Sequence, residues 1–425
     1  MLGARWMRRR PDPAESPWRF TDFNVLFRSA SLSQLASNTG YVALPLIAVT
    51  ALRAGPAEVG ALAALSTAAF LLIGLPVGAW VDRTRHRQVL IVADVARAVL
   101  FATIPVAWWL DSLTMQQLYA VAFASGAATV FFDVGSQSVL PRIVGPAALV
   151  RANAAIVTMI ALANVAGRGA GGALVQLLTA PVAALCSAIA YLLSAVTLTR
   201  MTRVPRAPAG TEARPRLGVQ IVEGLRHVLG HAELRALALT ATLNNLGSQV
   251  INTMLPILFV RGLDLPAGAL GTFWAAGGAG LLIGARCALP TARRLGYGRN
   301  LALIGLCVAP AALLVPLVDR GPLLWLAGAG WTLALCKTGM DNVVGVSLRQ
   351  RMTPPALVGR MNATFRFLLT GALALGAVLG GVLGELIGVR GTLWVGAVIL
   401  ALAFVPVFVS PVRRRRELPT ALAVT

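Results

Sequence analysis

Twelve apolar runs, each about the length of a membrane-spanning helix, recur along the chain between short segments rich in charge, glycine and proline. About 20 apolar residues are enough for a helix to cross the hydrocarbon core of a bilayer. Only 12% of the 425 residues are charged and 57% are hydrophobic, which excludes an ordinary soluble enzyme, because soluble domains carry about 25% charged residues. The chain is therefore predicted to be an all-α integral membrane protein, with spans near 23–51, 58–80, 88–110, 115–139, 152–177, 180–199, 236–260, 267–289, 300–318, 322–346, 361–386 and 391–410.

Polar segments divide the chain into two groups of six spans. The N-terminal segment is basic and broken by proline, with no apolar core of signal-peptide length, so we expect it to remain as a tail. The predicted division is a cytosolic tail over 1–22, a bundle over 23–200, a cytosolic linker over 201–234, a second bundle over 235–410 and a cytosolic tail over 411–425. Part of the linker has the spacing of an amphipathic helix, which lies along the headgroups or serves as a solvated connector. Its predicted apolar face consists of Val219, Val222, Leu225 and Leu229.

Basic residues are distributed unevenly between the two ends of the predicted spans. The chain has 37 Lys and Arg against 16 Asp and Glu, a net charge of +21. With the N-terminus taken as cytosolic, 27 basic residues fall in inward-facing segments, six fall within spans, and the four in outward loops are Arg53, Arg261, Arg320 and Arg390. Because basic residues concentrate in cytosolic loops, this asymmetry predicts that both termini are cytosolic in a cell (inner) membrane. Anionic lipid, rather than nucleic acid, is the expected partner of these charges.

A sequence repeat relates the two predicted bundles. The segment that ends in ALV at 148–150 aligns with the one that ends in ALV at 356–358. The same offset of 208 residues places Asp133 on Asp341. Duplicated halves of this kind are typical of secondary transporters in which two bundles rock about a central site. The repeat therefore predicts two pseudo-symmetric six-helix bundles, related by an axis along the membrane normal.

The segment from Gly74 to Arg87, GLPVGAWVDRTRHR, resembles the loop between the second and third helices of the major facilitator superfamily. Together with QVLIVADVARAVL, LPRIVGPAALVRANA and the terminal SPVRRRRELP, it is similar to the branch that exports drugs, macrolides and siderophores such as enterobactin. The resemblance spans essentially the whole chain. It implies twelve helices in two bundles, alternating access, export of a small amphipathic molecule by proton antiport, no bound cofactor and a monomeric state.

The same resemblance assigns a gating role on the cytosolic side to four loop residues, Gly78, Asp82, Arg83 and Arg87. In the superfamily the aspartate faces the start of the eleventh helix and an arginine pairs with an acid on the fourth. In this chain the resemblance implies that Asp82 faces the segment 360–362 and that an arginine of the loop pairs with Asp133. A carboxylate near a helix N-terminus is favoured by the helix dipole. The alternative is a static salt bridge that only stabilises the loop.

Ionisable residues inside the spans are expected to mark functional positions, because a charge in the bilayer is costly unless it is paired or faces a cavity. Asp94 and Arg97 are three residues apart on one helical face, so they form a structural pair or take part in coupling. Asp133 and Asp341 either carry protons or latch a gate, and the only lysine lies one turn before Asp341. The predicted charge network consists of Asp94, Arg97, Asp133, Lys337, Asp341 and Arg366.

Polar residues on the first, fifth and seventh predicted helices are candidates for the solute pathway. Those on the seventh helix follow a helical spacing, so they line a cavity or join neighbouring helices by hydrogen bonds. Arg168 on the fifth helix either binds an anionic or carbonyl-rich solute or extends toward the outer surface. The predicted pathway comprises Gln34, Asn38, Arg168, Asn245, Gln249 and Asn252. The glycines expected to bring the fifth helix close to the eighth are Gly167, Gly171 and Gly172.

No sequence pattern predicts an enzyme or a metal site. The four cysteines fall in separate spans without metal-ligand spacing, and no glycine-rich phosphate loop ending in lysine is present. The predicted function is export of a drug, an antibiotic or another secondary metabolite by secondary active transport. A siderophore exporter and a lysolipid flippase are alternatives on the same scaffold. A membrane sensor or scaffold that transports nothing is an alternative of another class.

Overall fold

The computed structural model describes residues 16–82, 84, 86–202 and 217–417, and every regular element in these ranges is helical. The predicted tail residues 1–15 and 418–425 and the linker residues 203–216 lie outside them. The helices are α1 (Thr21–Thr50), α2 (Pro56–Asp82), α3 (His86–Trp109), α4 (Met115–Leu177), α5 (Ala180–Leu198), α6 (Leu217–Gly230), α7 (Ala232–Ile257), α8 (Ala267–Leu295), α9 (Tyr297–Val308), α10 (Pro322–Arg351), α11 (Val358–Leu402) and α12 (Val405–Val409). Short 3-10 helices lie at Pro17–Arg19, Ala309–Leu317, Pro355–Leu357 and Pro411–Arg414, and a π-helical turn lies at Leu258–Gly262.

Two of these helices each contain two spans. Gly145 (φ 68°, ψ 173°) separates α4a (Met115–Gly145) from α4b (Ala148–Leu177). Gly388 (φ 77°, ψ 168°) separates α11a (358–387) from α11b (389–402). Glycine adopts these angles because it has no Cβ. With α9 extended by its 3-10 helix and α11b by α12, the described part of the chain contains twelve spans, and the predicted fold class is confirmed.

The backbone of Gly145 leads to a testable prediction. Gly145→Ala is expected to destabilise the protein by about 1–3 kcal/mol, because a Cβ is strained at these angles even where it meets no neighbouring atom. The melting temperature of the detergent-purified protein measures the effect. Gly359→Ala is the matched control, since Gly359 has equally open surroundings but lies within helical α11a, where alanine is tolerated. Equal melting temperatures for the two variants would contradict the prediction.

The observed helices agree with the predicted spans, except that several continue further at the side where the termini lie. The eighth span was delimited at residue 289 by hydropathy, whereas α8 continues to Leu295. Similarly, the tenth ends near 346 by hydropathy, whereas α10 continues to Arg351. Both extensions carry arginines. Hydropathy detects where the apolar layer ends, whereas backbone hydrogen bonding continues into the polar interface.

Polarity distinguishes three spans from the others. Eight helical segments of the described chain are long and apolar enough to cross a membrane, and one of them, Val358–Val409, holds two spans. The spans outside this set are α1, α7 and α10. They are also long enough to cross a membrane, at 30, 26 and 30 residues, so their polarity and not their length separates them from the others. Asn38, Asn244 and Lys337 lie on these three helices and are buried within the protein. Polar side chains in a membrane protein face the bundle interior, so these helices supply its polar surface.

Contacts between helices divide the structure into two bundles. In the N-terminal bundle, α1 packs against α4 and α5, and α3 packs against α5. In the C-terminal bundle, α7 packs against α11, and α8 packs against α10. The bundles meet where α2 packs on α11 and where α4 packs on α8. These two seams are the pair expected of halves related by a pseudo-twofold axis.

Two of the four residues of the apolar face predicted for the linker helix α6 are exposed on the protein surface, which both a helix along the headgroups and a solvated connector allow. Val222 and Leu229 are 58% and 43% exposed, whereas Val228 is fully buried. The helix packs on α11 at Gly224, where a Cβ would lie 2.9 Å from the carbonyl oxygen of Arg360. Close approach at a glycine therefore decides which face is buried, and the spacing of apolar residues does not report such an approach.

Candidate functional site

The two bundles touch most closely at the far side, which is the face of the membrane domain opposite the two termini. A Cβ on Gly172 of α4b would lie 2.6 Å from the Cα of Gly271 on α8. A Cβ on Gly60 of α2 would lie 2.6 Å from the Cα of Gly381 on α11a. Small residues allow helix backbones to come into direct contact within a membrane. These two glycine contacts, one in each seam, close the far side.

The glycine cluster predicted to face α8 in fact faces two helices, and only Gly172 meets α8. Gly167 and Gly171 pack on α1 instead. A Cβ on Gly167 would lie 2.6 Å from the Cβ of Asn38, and one on Gly171 would lie 3.1 Å from the Cα of Thr39. Residues four apart share a helical face, whereas adjacent residues point about 100° apart. The cluster therefore allows α4b to pack closely against both α1 of its own bundle and α8 of the other bundle.

Hydrogen bonds reinforce the closed far side. They run from Arg261 to the carbonyl oxygens of Ala54 (2.8 Å) and Val49 (2.9 Å), from the amide of Ala57 to Glu385 (3.1 Å), and from the amide of Gly268 to Gln176 (3.1 Å). Among described residues, every hydrogen bond between the bundles lies at this side, and no ion pair joins the bundles. The structure is therefore a conformation that is closed at the far side.

A cavity of about 400 Å³ lies between the bundles near the middle of the spans. Its volume is within the range of small-molecule sites, about 300–1,000 Å³. Asp133 of α4a and Arg366 of α11a place opposite charges on opposite bundles in its wall. The guanidinium of Arg366 lies 4.2 Å from the ring centroid of Phe70 on α2. Further lining residues include Ser37, Tyr41, Ser66, Thr129 and Thr370.

The loop arginine Arg87 does not pair with Asp133, so of the two predicted gating arginines only Arg83, outside the described residues, is left as the partner of Asp133 in a cytosolic latch. Arg87 donates from Nε to the carbonyl oxygen of Leu198 at 3.2 Å and from Nη2 to the carbonyl oxygen of Thr199, at the end of α5. Asp133 makes no ion pair with any described residue and lines the cavity instead. The difference arises because Asp133 lies deep within its span, whereas Arg87 lies in the first turn of α3.

Asp94 and Arg97 form a buried ion pair inside the N-terminal bundle, with side chains 0% and 1% exposed. Asp94 also accepts hydrogen bonds from Ser33 of α1 at 3.3 Å and from Ser194 of α5 at 2.5 Å. The pair therefore ties α3 to both neighbours. The guanidinium of Arg97 is flanked by two rings, Phe132 at 4.8 Å and Tyr191 at 4.5 Å from the centroids.

A second polar network lies in the C-terminal bundle around the buried Lys337. Its ammonium group is 2.6 Å from the carboxylate of Asp341 and 3.3 Å from the side-chain oxygen of Asn244. Asn244 in turn donates to Asp341 at 2.9 Å. Asn244 and Asp341 line a small cavity of about 90 Å³. Asn244 therefore holds the acid and the base together, a role that sequence analysis did not assign to it.

The polar stripe of α7 divides among several partners. Asn245 donates to the carbonyl oxygen one turn earlier at 2.8 Å and lines the small cavity. The buried Gln249 donates to Thr253 of the same helix at 3.5 Å. Asn252 accepts a hydrogen bond from the indole of Trp274 on α8 at 2.8 Å. In this conformation Asn252 therefore joins α7 to α8, which is the alternative to a place in the pathway, whereas the bond of Gln249 stays within α7.

Arg168 turns toward the interior of the protein, which excludes extension to the outer surface in this conformation. Its Nε lies 3.5 Å from Oδ1 of the buried Asn38, and its guanidinium lies 4.7 Å from the ring centroid of Tyr41. Asn38 donates from Nδ2 to the carbonyl oxygen of Gln34 at 2.9 Å. Tyr41 contacts Trp274 of the opposite bundle, with ring centroids 5.4 Å apart.

Comparison with known proteins identifies the family. The sequence model of the Major Facilitator Superfamily matches residues 26–340, which is most of the chain. The chain belongs to the major facilitator superfamily. It is 27% identical over 372 residues to an uncharacterized MFS-type transporter, y4rN, of Sinorhizobium fredii, an alignment that covers 84% of this chain and 87% of that protein. Membership makes it a multi-pass membrane transporter of small molecules, in a family that is generally not enzymatic.

Two solved structures illustrate the shared fold. The nucleoside transporter NupG superposes with a TM-score of 0.74 at 13% identity, covering 92% of this chain and 99% of that one. A bacterial homolog of the human lysosomal transporter Spinster, inward-facing and unoccupied, gives a TM-score of 0.72 at 13% identity, covering 93% and 97%. At such identities the similarity concerns the fold alone.

Three of the four loop residues assigned a gating role lie where the surroundings are not described. Arg83 is outside the described residues. Gly78 and Asp82 belong to α2, but the surroundings of Gly78 and the side chain of Asp82 are outside the described part as well. The gating role of these residues therefore stays a prediction, and Arg87 is the loop residue for which contacts are known.

The aromatic rings that contact the intramembrane arginines could not be predicted from the sequence. Tyr41, Phe70 and Tyr191 lie against Arg168, Arg366 and Arg97, respectively. The face of an aromatic ring stabilises a cation that has left water. No spacing rule could pair them, because each ring lies on a different helix from its arginine. For Arg168 and Arg366 the available signal was an arginine in an apolar run without an acid one turn away, which requires a partner elsewhere. Arg97 has Asp94 one turn away, so its ring contacts had no such signal.

Proposed function

We propose that this transporter exports a small amphipathic organic molecule, such as a drug, an antibiotic or another secondary metabolite, in exchange for protons. The proposal includes alternating access between two bundles, a monomer in the plasma membrane, and cytosolic termini facing anionic lipid. The far side is then the outer face. Within the superfamily, the proposal favours the branch that exports drugs, macrolides and siderophores.

The observation that carries the proposal is the charged cavity between bundles that are closed at the far side. Alternating access requires a central site that is sealed from one face at a time. The seal consists of glycine contacts and hydrogen bonds, with no ion pair between described residues of the two bundles. Such a seal opens without separating charges, so rocking of the bundles is inexpensive.

Asp133 is the proposed site of proton exchange. Asp94 and Asp341 are each in contact with a basic side chain, so protonation of either would break an ion pair. Asp133 lines the cavity and faces Arg366 across the bundle interface. Within its own bundle it faces the Asp94–Arg97 pair on α3. A protonated Asp133 no longer attracts Arg366, and this loss couples proton binding to separation of the bundles.

Accumulation of candidate compounds in an efflux-deficient host tests the proposal. Cells that express the protein are expected to accumulate less of an exported compound, and a protonophore should abolish the difference. Asp133→Asn is expected to reduce protonophore-sensitive efflux about tenfold or more, because the neutral amide cannot exchange a proton. Asp264→Asn is the control, because its side chain is 92% exposed and lies outside the spans.

The possible outcomes separate the alternatives. Efflux that persists with the protonophore would contradict antiport. Wild-type efflux by Asp133→Asn would contradict the assignment of the proton site. No change in accumulation of any compound, despite normal insertion, would favour the sensor or scaffold.

Lysolipid flipping is a second candidate, favoured by an apolar groove of about 590 Å³ between α1 and α4b. The groove is lined by Trp18, Phe27, Leu35, Met159 and Leu162, among others. Its lining is mainly apolar, which suits the acyl chain of a lipid. Transfer of a fluorescent lysolipid between the leaflets of proteoliposomes would support this function over drug export.

A further inference from the structure

Arg168 has no counter-ion within the described protein. Its guanidinium carries five N–H donors, yet Asn38 is its one hydrogen-bond acceptor among described residues, at 3.5 Å. The residue lies well inside α4b, nine residues before that helix ends at Leu177. A charge at this depth is costly unless it is paired or faces a water-filled cavity. The remaining donors are therefore available to a ligand.

The surroundings of Arg168 connect it to the central cavity. Tyr41, which lies under the guanidinium, is 37% exposed and lines the 400 Å³ cavity. On its other side Tyr41 contacts Trp274 of the opposite bundle. Arg168 and Tyr41 therefore present a cation and an aromatic face side by side at the bundle interface, close to the closed far side.

The charges around the cavity leave one positive charge unbalanced. The Asp94–Arg97 pair and the Lys337–Asp341 pair are each neutral. Among the described residues near the cavity, three charged side chains lack an ion pair, namely Asp133, Arg168 and Arg366. Two of these are cations and one is an anion. A solute with a single negative charge would neutralise the interface.

We propose that Arg168 binds a singly charged anionic group of the exported molecule, such as a carboxylate or a sulfonate, while Tyr41 packs against its apolar ring system. The proposal deepens the proposed function, on which it rests, by naming the substrate class. Arginine is suited to this task because its planar fork of donors matches an oxyanion. When the far side opens, Trp274 leaves Tyr41 with the C-terminal bundle, and the bound anion gains a route outward.

Binding of a matched pair of fluorescent probes tests the inference. Anilinonaphthalene sulfonate is an aromatic anion, and N-phenylnaphthylamine has the same rings without the sulfonate. The full-length protein in lipid nanodiscs is titrated with each probe, and the signal of empty nanodiscs is subtracted. Saturable binding of the sulfonate to the wild type is expected, at least about tenfold tighter than binding of the amine, as for hydrogen bonds to a charged group.

Three variants make the result specific to Arg168. Arg168→Gln is expected to weaken sulfonate binding about tenfold or more and to leave amine binding unchanged. Arg168→Lys keeps the charge but loses the planar set of N–H donors, so a smaller loss of sulfonate affinity than in Arg168→Gln is expected. This variant tests the inference if Arg168→Gln does not fold. Arg286→Gln removes an exposed arginine of α8 and should bind both probes as the wild type does.

The absence of saturable sulfonate binding, or wild-type sulfonate affinity in both Arg168 variants, would overturn the inference. Because the binding assay does not depend on transport, its failure can be distinguished from failure of the proposed function. Protonophore-sensitive efflux together with negative binding results would overturn the substrate class alone. Specific sulfonate binding without efflux of any compound would overturn the proposed export function but not the anion site at Arg168.

Discussion

Replacement of Asp94 by asparagine is expected to destabilise the folded protein by about 3–5 kcal/mol, because it leaves a buried arginine without its counter-ion. The side chains of Asp94 and Arg97 are 0% and 1% exposed, so water cannot replace the lost carboxylate. The same change weakens the hydrogen bonds from Ser33 and Ser194 that tie α3 to α1 and α5. A lower melting temperature in detergent and a lower yield of folded protein are the expected observations.

Two further variants show whether the effect comes from unpaired charge. The double variant Asp94→Asn/Arg97→Met removes both charges and is expected to recover part of the loss, since a neutral pair of similar volume carries no buried charge. Asp319→Asn interrupts an exposed pair with Arg390, whose side chains are each nearly half exposed, and should leave the melting temperature unchanged. A double variant less stable than Asp94→Asn alone would contradict this account.

Substitution of Gly172 by alanine is expected to open the far side and to reduce export about fivefold or more. The added Cβ would lie 2.6 Å from the Cα of Gly271, so α4b and α8 have to separate. Overpacking of this kind costs about 1–3 kcal/mol. That energy shifts a two-state equilibrium by about 5- to 150-fold, here toward the conformation open at the far side.

Gly169→Ala provides the matched control for this prediction. It lies three residues earlier on α4b, and its added Cβ would meet Ala275 at an ordinary contact distance of 3.6 Å. Both substitutions raise helix propensity equally, so a difference between them reports the closer contact of Gly172 with Gly271. Labelling of Ser37→Cys by a charged thiol reagent from the far side, in a background with the native cysteines replaced by alanine, measures the opening. Equal labelling of the two variants would show that the glycine contact does not seal the far side.

Most of the fold could be predicted from the sequence because lipid imposes strong constraints on the residues that span it. Each span had to be apolar over about 20 residues, and the polar linker and the repeat around Asp133 and Asp341 marked the division into halves. Ion pairs between residues of one helix could also be predicted from the sequence. Asp94 with Arg97 and Lys337 with Asp341 are three and four residues apart, so the geometry of one helix suffices to bring them together.

Contacts between different helices could not be predicted from the sequence. The spacing of Asn245, Gln249 and Asn252 defined a stripe correctly but could not show that Asn252 accepts a hydrogen bond from Trp274 of α8. The glycines near Arg168 indicated close packing, but not that Gly167 and Gly171 contact α1 while Gly172 contacts α8. A helical period gives the face on which a residue lies, but not the helix that covers that face.

The sequence by itself determined the membrane environment, the number of spans, the division into two related halves and the positions of the intramembrane charges, because each depends on hydropathy or on spacing along one helix. Only the tertiary structure decided which face of the protein is closed, that Asp133 faces Arg366 across a cavity, and that Arg168 lies beside Tyr41 with no counter-ion in the described part of the chain. These depend on the rotation and separation of helices distant in sequence, which are set by packing between backbones and rings.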